Sequence, residues 1–144
     1  MLRFALTGGA LLSLLCGGCG SNGKVAPVSG VVTLNGKPIA DVAVTFQPLA
    51  AEGQNVVGLS AFGVTGPDGR YSLKLYGTEN RGASIGKNQV RFCGYTELTD
   101  MSEQALAKAK PKVNIPIRYW NESKIEFDVP AKGTSSADFQ LTSP

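Results

Sequence analysis

Residues 28–46 contain two short runs in which apolar and polar side chains alternate, and Asn35 and Gly36 join the runs. Successive side chains of a strand point to opposite faces, so each run has one apolar face. That face carries Gly30, Val32 and Leu34 before the junction, and Val42, Val44 and Phe46 after it. Asn-Gly between two such runs is typical of a type I′ turn, because both positions need a positive φ. The stretch therefore predicts a β-hairpin with one dry and one wet face.

Similar alternation recurs along the rest of the chain. The further alternating apolar residues are Tyr71, Leu73 and Leu75, then Val90 and Phe92, then Ile125, Phe127 and Val129, and last Phe139 and Leu141. Pro116 cannot donate a ladder hydrogen bond, so residues 113–119 are expected to form an edge strand or the start of one. The runs amount to about seven strands, which is typical of an all-β sandwich.

Residues 100–109 have the pattern of a helix. Asp100 can cap its N-terminus, Glu103 follows three residues later, and Pro111 ends it. The lysines near its C-terminal end suit the helix dipole, which favours a solvated end over a binding patch. We expect one short helix inserted between strands.

Composition restricts the available chemistry. The chain has 144 residues, 42% of them hydrophobic, which fits one small domain once a targeting segment is removed. The formal net charge of +3 is small, so nucleic acid is not expected as a partner. Histidine is absent, which excludes Ser-His-Asp and Cys-His triads and histidine zinc motifs. Most hydrolase mechanisms are thereby excluded, so we expect a protein that is not an enzyme and has no histidine-based metal site.

The first eighteen residues have the three regions of a secretory signal peptide. Arg3 supplies the positive charge, an apolar run too short to span a bilayer follows, and small residues come last. Residues 15–19 resemble a bacterial lipoprotein signal, in which a small residue precedes a cysteine that is acylated and becomes the mature N-terminus. Since Gly18 precedes it, Cys19 is the predicted lipidation site, and residues 1–18 are the predicted signal peptide.

Cys16 and Cys19 also have the Cys-x-x-Cys spacing of redox pairs and metal sites. A redox motif of this kind is expected to open a helix within a folded domain, whereas these residues end an export segment that cleavage divides. Cys93 is then left unpaired, and no disulfide is expected within a mature chain. Residues 19–27 are predicted to be a lipidated, flexible tether and residues 28–144 the folded domain.

Three other patterns have simple structural interpretations. Residues 82–87 resemble a phosphate-binding loop, but three residues rather than four separate the glycines, and an asparagine follows the lysine. Asp68 is isolated in a turn and lacks the alternating oxygen ligands of a calcium loop. Cys93 has no histidine to activate it, so it is expected to fill space on the wetter face of a strand.

Tyr119 and Trp120 are candidates for a surface contact. Their rings could stack on a sugar. The alternative, which the pattern favours, is that each ring buries one side at a strand end.

Two segments resemble the transthyretin-like, carboxypeptidase-regulatory-like domain. They are residues 28–48, which contain the Asn-Gly turn, and residues 65–71, which read Thr-Gly-Pro-Asp-Gly-Arg-Tyr. Residues 115–119, 123–129 and 138–142 look like the closing segments of small lipoproteins of planctomycete-type bacteria that carry this domain. The resemblance covers nearly all of the mature chain. It implies a seven-stranded Greek-key, prealbumin-like β-sandwich, often a structural or adhesive module, with no established activity and no cofactor.

These patterns predict a non-catalytic lipoprotein, exported and anchored in a membrane, that faces the periplasm or the cell surface and presents its sandwich to an envelope protein or a glycan. Two alternatives stay open. One is a purely structural component of the envelope without a ligand pocket. The other is a glycan-acting enzyme that uses two carboxylates, such as Glu122, Glu126 or Asp128. Parity places Glu126 and Asp128 on a solvated strand face, which argues against this second alternative.

Overall fold

The computed structural model describes residues 24–53, 55, 58–96, 104, 108 and 110–144. In these residues the secondary structure is mostly β-strand, with a turn of 3₁₀ helix at Ile117–Tyr119, so the predicted all-β class is confirmed. The strands are β1 (Val25–Ala26), β2 (Ser29–Leu34), β3 (Lys37–Pro38), β4 (Val42–Pro48), β5 (Ala61–Val64), β6 (Arg70–Ser72), β7 (Lys74–Leu75), β8 (Ala83–Ser84), β9 (Gly86–Gly94), β10 (Glu126–Val129) and β11 (Phe139–Leu141).

The described strands form two larger open sheets and a two-stranded ribbon of β1 and β8. The five-stranded sheet has the order β10-β9-β4-β5-β7, and each neighbouring pair is antiparallel. In the four-stranded sheet β2 is central. Strand β11 runs parallel along one side of β2, while β6 and β3 pair antiparallel with its first and second halves on the other side. The last strand of the chain therefore lies next to one of its first.

Both larger sheets contribute side chains to one hydrophobic core. The core residues that are fully shielded from solvent include Val32, Val42, Val44, Phe46, Ala61, Val90, Phe92 and Ala137. Phe139 packs against the rings of Phe46, Phe92 and Phe127, with centroids 5.0 to 6.1 Å apart. The inward parities predicted for β2, β4, β9 and β11 are therefore confirmed.

The turn at Asn35 and Gly36 is confirmed, whereas the long hairpin predicted around it is wrong. The φ angles of 52° and 81° are the left-handed values that a type I′ turn needs. Strands β2 and β3 pair over just two residues each. Asp41, with φ of 58°, then turns the chain toward the five-stranded sheet, where β4 pairs with β5 and β9. The two apolar runs thus face each other across the core instead of lying side by side.

Two other segments differ from expectation. The strand predicted over residues 113–119 is wrong, because Pro116 stands at the start of the 3₁₀ helix and its ring nitrogen has no hydrogen to donate. The run from Tyr71 to Leu75 is divided at Leu73, where β6 in one sheet gives way to β7 in the other. The helix predicted over residues 100–109 lies outside the described residues except for Gln104 and Lys108, which are helical.

The predicted tether and signal lie mostly outside the described residues. Residues 1–23, including Cys19, belong to that part. Val25 and Ala26 fall inside the predicted tether, yet they pair with Ser84 and Ala83, and Ala26 is buried. Sheet structure therefore begins before residue 28. No helix of the described residues is long and apolar enough to cross a membrane.

The described chain enters the fold at one end of the five-stranded sheet, which we call the lower end. Strand β4 finishes there and β9 begins there, with Pro48 opposite Asn88. Ile85 donates its backbone N–H to the Lys24 carbonyl oxygen at 2.8 Å, which places β1 at the same end. The lower end comprises residues 24–27, 48–53, 58–60, 76–87 and 130–134. The turn at residues 35 and 36 lies at the opposite, upper end.

Candidate functional site: the outer face of the five-stranded sheet

Side chains of four neighbouring strands form one row on the face of the five-stranded sheet that points away from the core. Phe62 on β5 lies opposite Lys74 on β7 and opposite Thr45 on β4. Thr45 in turn lies opposite Arg91 on β9. Neighbouring strands are about 4.8 Å apart, so the row, which we call the outer row, is about 14 Å long.

Aromatic rings stand near both ends of the outer row. At one end the rings of Phe62 and Tyr76 lie 4.5 Å apart, and the Lys74 ammonium is 5.7 Å from the Phe62 centroid. At the other end the Arg91 guanidinium lies 6.0 Å from the Trp120 ring centroid. Between them the side chains are small, as at Thr45. The small side chain of Thr45 therefore lies between two aromatic surfaces.

Polar groups lie in the outer row and in the next row of the same face. Arg91 donates from Nη2 to the Gln89 side-chain oxygen at 3.0 Å, and Gln89 donates from Nε2 to the Ser123 carbonyl at 2.7 Å. The Arg91 Nε atom is buried and has no hydrogen-bond partner within the described residues. Gln47, which lies opposite Gln89, is exposed. The outer face thus places guanidinium and amide groups between aromatic rings, and side chains of these types recognise polyhydroxylated ligands.

Tyr119 and Trp120, the two residues predicted to make a surface contact, have different surroundings. The Tyr119 ring packs edge-on against the core residue Phe92, with centroids 6.4 Å apart. This is the one-sided burial that the sequence pattern favoured. Trp120 instead lies beside Arg91 at the outer row. The structure therefore retains Trp120 as a candidate contact and gives Tyr119 a packing role.

The Tyr119 hydroxyl accepts the backbone N–H of Thr142 at 2.9 Å, and the Arg118 guanidinium lies 4.9 Å from the Tyr119 ring centroid. Burial opposes ionisation of this phenol, but the hydrogen bonds with Thr142 and the neighbouring Arg118 outweigh burial and lower the pKa of Tyr119 to about 8. These contacts fasten the 3₁₀ helix to the end of β11.

Sequence reasoning missed Phe62, Tyr76 and Arg91 as members of a candidate site. Small residues surround Phe62 in the sequence, so alternation does not indicate which face of its strand Phe62 occupies. In the structure its neighbour Gly63 faces inward. Tyr76 follows the end of its strand. Cross-strand register brings these residues together, and no local sequence pattern encodes that register.

The carboxylates considered for an enzyme lie on exposed positions. Glu126 and Asp128 alternate with inward-facing residues on β10, which is the outermost strand of its sheet, and Glu122 is exposed in the segment before it. A glycosidase acid needs an environment that raises its pKa, usually burial in a cleft. These three positions do not supply such burial.

Within the described ranges, no group of three or more metal-ligating side chains could hold a metal ion.

A concavity of about 400 Å³ lies away from the outer row, beside β6 and the start of β2. Two of its polar side chains already have partners in the protein. Arg70 pairs with Asp68 at 3.5 Å, and the Tyr71 hydroxyl donates to the Ala137 carbonyl at 2.6 Å. Burial, helped by the charge of Asp138, raises the pKa of Tyr71, so this hydroxyl stays protonated. We therefore interpret the concavity as a structural junction between β2, β6 and the start of β11.

Cys93 lies opposite Ala43 on the outer face, in the position predicted from its parity. It is half-buried, and burial raises the pKa of its thiol. A thiol with a raised pKa is a poor nucleophile near neutral pH.

No protein-family model, curated protein sequence or solved structure matches the chain.

Proposed function

We propose that this chain is a membrane-anchored lipoprotein of the cell envelope whose domain binds a partner without catalysis through the outer row. The partner is an envelope protein or a glycan, and the geometry of the row favours a glycan. The row that carries this proposal consists of Lys74, Phe62, Thr45 and Arg91, with Trp120 beside it.

A sugar ring has an apolar face and a polar rim. Aromatic side chains pack against the apolar face, and guanidinium and amide groups bond to the hydroxyls of the rim. The outer row has aromatic rings near both ends, and its length of about 14 Å accommodates a few linked sugars. A flat protein epitope would instead call for a larger apolar centre.

For the fold we propose the seven-stranded Greek-key sandwich of the transthyretin-like kind. Strands β1, β3 and β8 have two residues each; β1 pairs with β8, and β3 pairs with the end of β2. If they are set aside and β6 is counted with β7 as one run, seven strands are left among those of the described residues. Two sheets that share one core are also the arrangement that sandwiches have.

The proposed anchor is an acyl group on Cys19. Its support is the sequence of residues 1–19, in which a charged start, an apolar run and Gly18 precede the cysteine. Mass spectrometry of the protein from a membrane fraction tests this directly. We expect an N-terminal peptide that begins at Cys19 and carries a diacylglyceryl group, and an unmodified peptide that begins at Met1 would contradict it.

Glycan binding is tested by screening the purified lipoprotein against envelope oligosaccharides, followed by calorimetry of any ligand found. Phe62→Ala and Trp120→Ala should each weaken binding about tenfold, because stacking on one ring contributes about 1–2 kcal/mol. Leu49→Ala is the matched control, since Leu49 is an exposed apolar residue away from the row. Unchanged affinity in both ring variants would overturn the assignment of the row, and cross-linking to an envelope protein with no glycan bound would favour a protein partner.

A further inference from the structure

Exposed apolar side chains gather at the lower end of the domain. The exposed large hydrophobic residues of the described chain are Leu49 (38% exposed), Leu59 (55%), Tyr76 (54%) and Ile117 (65%). The first three lie at the lower end. Ile117 lies elsewhere, in the 3₁₀ helix that is fastened to the end of β11.

Hydrogen bonds connect each of these three residues to a neighbouring segment of the lower end. Leu49 donates its backbone N–H to the Lys87 carbonyl at 2.9 Å, and Tyr76 donates to the Ser60 carbonyl at 2.9 Å. The Leu59 carbonyl accepts the Ser84 hydroxyl at 3.3 Å. Ser84 pairs with Val25 of β1, so the apolar residues surround the point at which the chain enters the domain.

The path from the proposed anchor to this end is short. Five residue steps separate Cys19 from Lys24, and an extended chain covers about 18 Å over that number. Lys24 is already tied to Ile85 by a backbone hydrogen bond. A domain held so closely must keep its lower end next to the lipid surface, where even weak contacts are made at a high effective concentration.

Basic side chains are more numerous than acidic ones at this end. The exposed basic residues in this end are Lys24, Arg81, Lys87 and Lys132, and the exposed acidic ones in or next to it are Glu52, Glu79 and Asp128. The ion pairs found within the described residues, Arg70 with Asp68 and Lys112 with Asp41, both lie toward the upper end. The lower end therefore combines an apolar patch with a modest positive charge.

We propose that the lower end rests on the bilayer, with Leu49, Leu59 and Tyr76 in contact with the lipid headgroup region and the basic side chains around them facing anionic lipids. Tyrosine suits this position because its ring is apolar and its hydroxyl is polar, and lysine reaches back to water with its ammonium group. The inference rests on the proposed acylation of Cys19. Strands β4 and β9 then run away from the membrane. Tyr76 lies between the lipid and the outer row, and Phe62, Thr45 and Arg91 of that row stay accessible from the side.

The experiment uses the full, acylated lipoprotein in vesicles of phosphatidylcholine and phosphatidylglycerol. In a Cys93→Ala background, single cysteines introduced by Leu59→Cys or Ile117→Cys carry an environment-sensitive fluorophore, and nitroxide-labelled headgroups act as the quencher. The Leu59→Cys label should be quenched about threefold more strongly than the Ile117→Cys label, because interfacial side chains lie within reach of the headgroups.

Equal quenching at the two positions overturns the proposal. If either variant fails to fold, as judged by circular dichroism, the pair Leu49→Cys and Glu122→Cys gives the same comparison. Mass spectrometry of the same sample distinguishes a wrong orientation of the domain from the absence of the acyl group on Cys19. An acylated protein with equal quenching contradicts the orientation alone, whereas a chain without an acyl group on Cys19 contradicts both the anchor and the orientation.

Discussion

At the scale of single residues, Tyr119 has a hydroxyl that ionises more readily than an ordinary phenol. Its pKa is about 8, because the hydrogen bonds with Thr142 and the positive charge of Arg118 outweigh burial. The unfolded chain, with a tyrosine pKa of about 10, therefore binds more protons than the folded chain between these two values. The stabilisation from Tyr119 is fully present above the unfolded pKa, and it is lost as the pH falls through about 8.

A spectrophotometric titration at the absorbance of tyrosinate tests this. One of the four tyrosines should titrate near pH 8 in the folded protein, and Tyr119→Phe should remove that step. Arg118→Gln should raise the pKa of Tyr119, whereas Arg70→Gln, at a distant turn, should leave it unchanged. An identical titration of the wild type and Tyr119→Phe would contradict the assignment.

Gly36 provides a test of backbone strain alone. Its φ is 81°, and an added Cβ would meet no atom within 4 Å. Gly36→Val should therefore lower the free energy of unfolding by about 1–2 kcal/mol, through the forced left-handed conformation rather than through a clash. Urea denaturation measures the change. Gly36→Asn is the matched control and should cost less, because asparagine tolerates this conformation.

At the scale of elements, a buried asparagine holds β8 to β9. Asn88 is 0% exposed, and its Nδ2 atom donates to the carbonyls of Ser84 and Gly86 at 2.9 Å each. Its Oδ1 atom is buried without a partner within the described residues. The two bonds fix the short link between the ribbon of β1 and β8 and the five-stranded sheet.

Removing this amide should loosen the link. Asn88→Ala should destabilise the fold by about 2–3 kcal/mol, because two buried carbonyls lose their partner. Chemical denaturation measures the loss, and hydrogen exchange at the β8 amides should rise first. Asn80→Ala, at an exposed position, is the control and should change stability little. A stability equal to that of the wild type in Asn88→Ala would show that the link is held by other contacts.

The strands also show which structural features the sequence predicts correctly and which it does not. The alternation in β4 and β9 correctly identified Phe46 and Phe92 as core residues, since a period of two needs nothing beyond the local chain. The same alternation does not specify which strands pair with each other. The Asn-Gly turn predicted a hairpin, but the left-handed Asp41, five residues later, sends β4 into the other sheet.

At the scale of the whole molecule, β11 closes the fold. It pairs with β2 in parallel, and Leu141, with 1% exposure, belongs to the core. Phe139 contributes the ring that contacts three other phenylalanines. Strands this far apart in sequence lose much chain entropy when they pair, so the pairing depends on the rest of the core.

Deletion of residues 137–144 should abolish cooperative unfolding, because it removes β11 and its core side chains together. Near-ultraviolet circular dichroism and a thermal scan would show the loss of fixed aromatic packing. Deletion of Pro144 alone is the control. It keeps the two hydrogen bonds between Asn35 and Ser143, so it should retain the transition of the full chain. A cooperative transition in the longer deletion would mean that β11 is dispensable for the core.

The sequence by itself determined the all-β class, the inward faces of β2, β4, β9 and β11 and the turn at Asn35 and Gly36, because period two and positive φ are properties of neighbouring residues. It also determined the absence of histidine chemistry. The tertiary structure alone decided that β4 leaves the first ribbon, that Phe62 and Arg91 share a row, and that Leu49, Leu59 and Tyr76 surround the point where the chain enters. These facts depend on sheet register and on contacts between distant segments, which a local pattern does not specify.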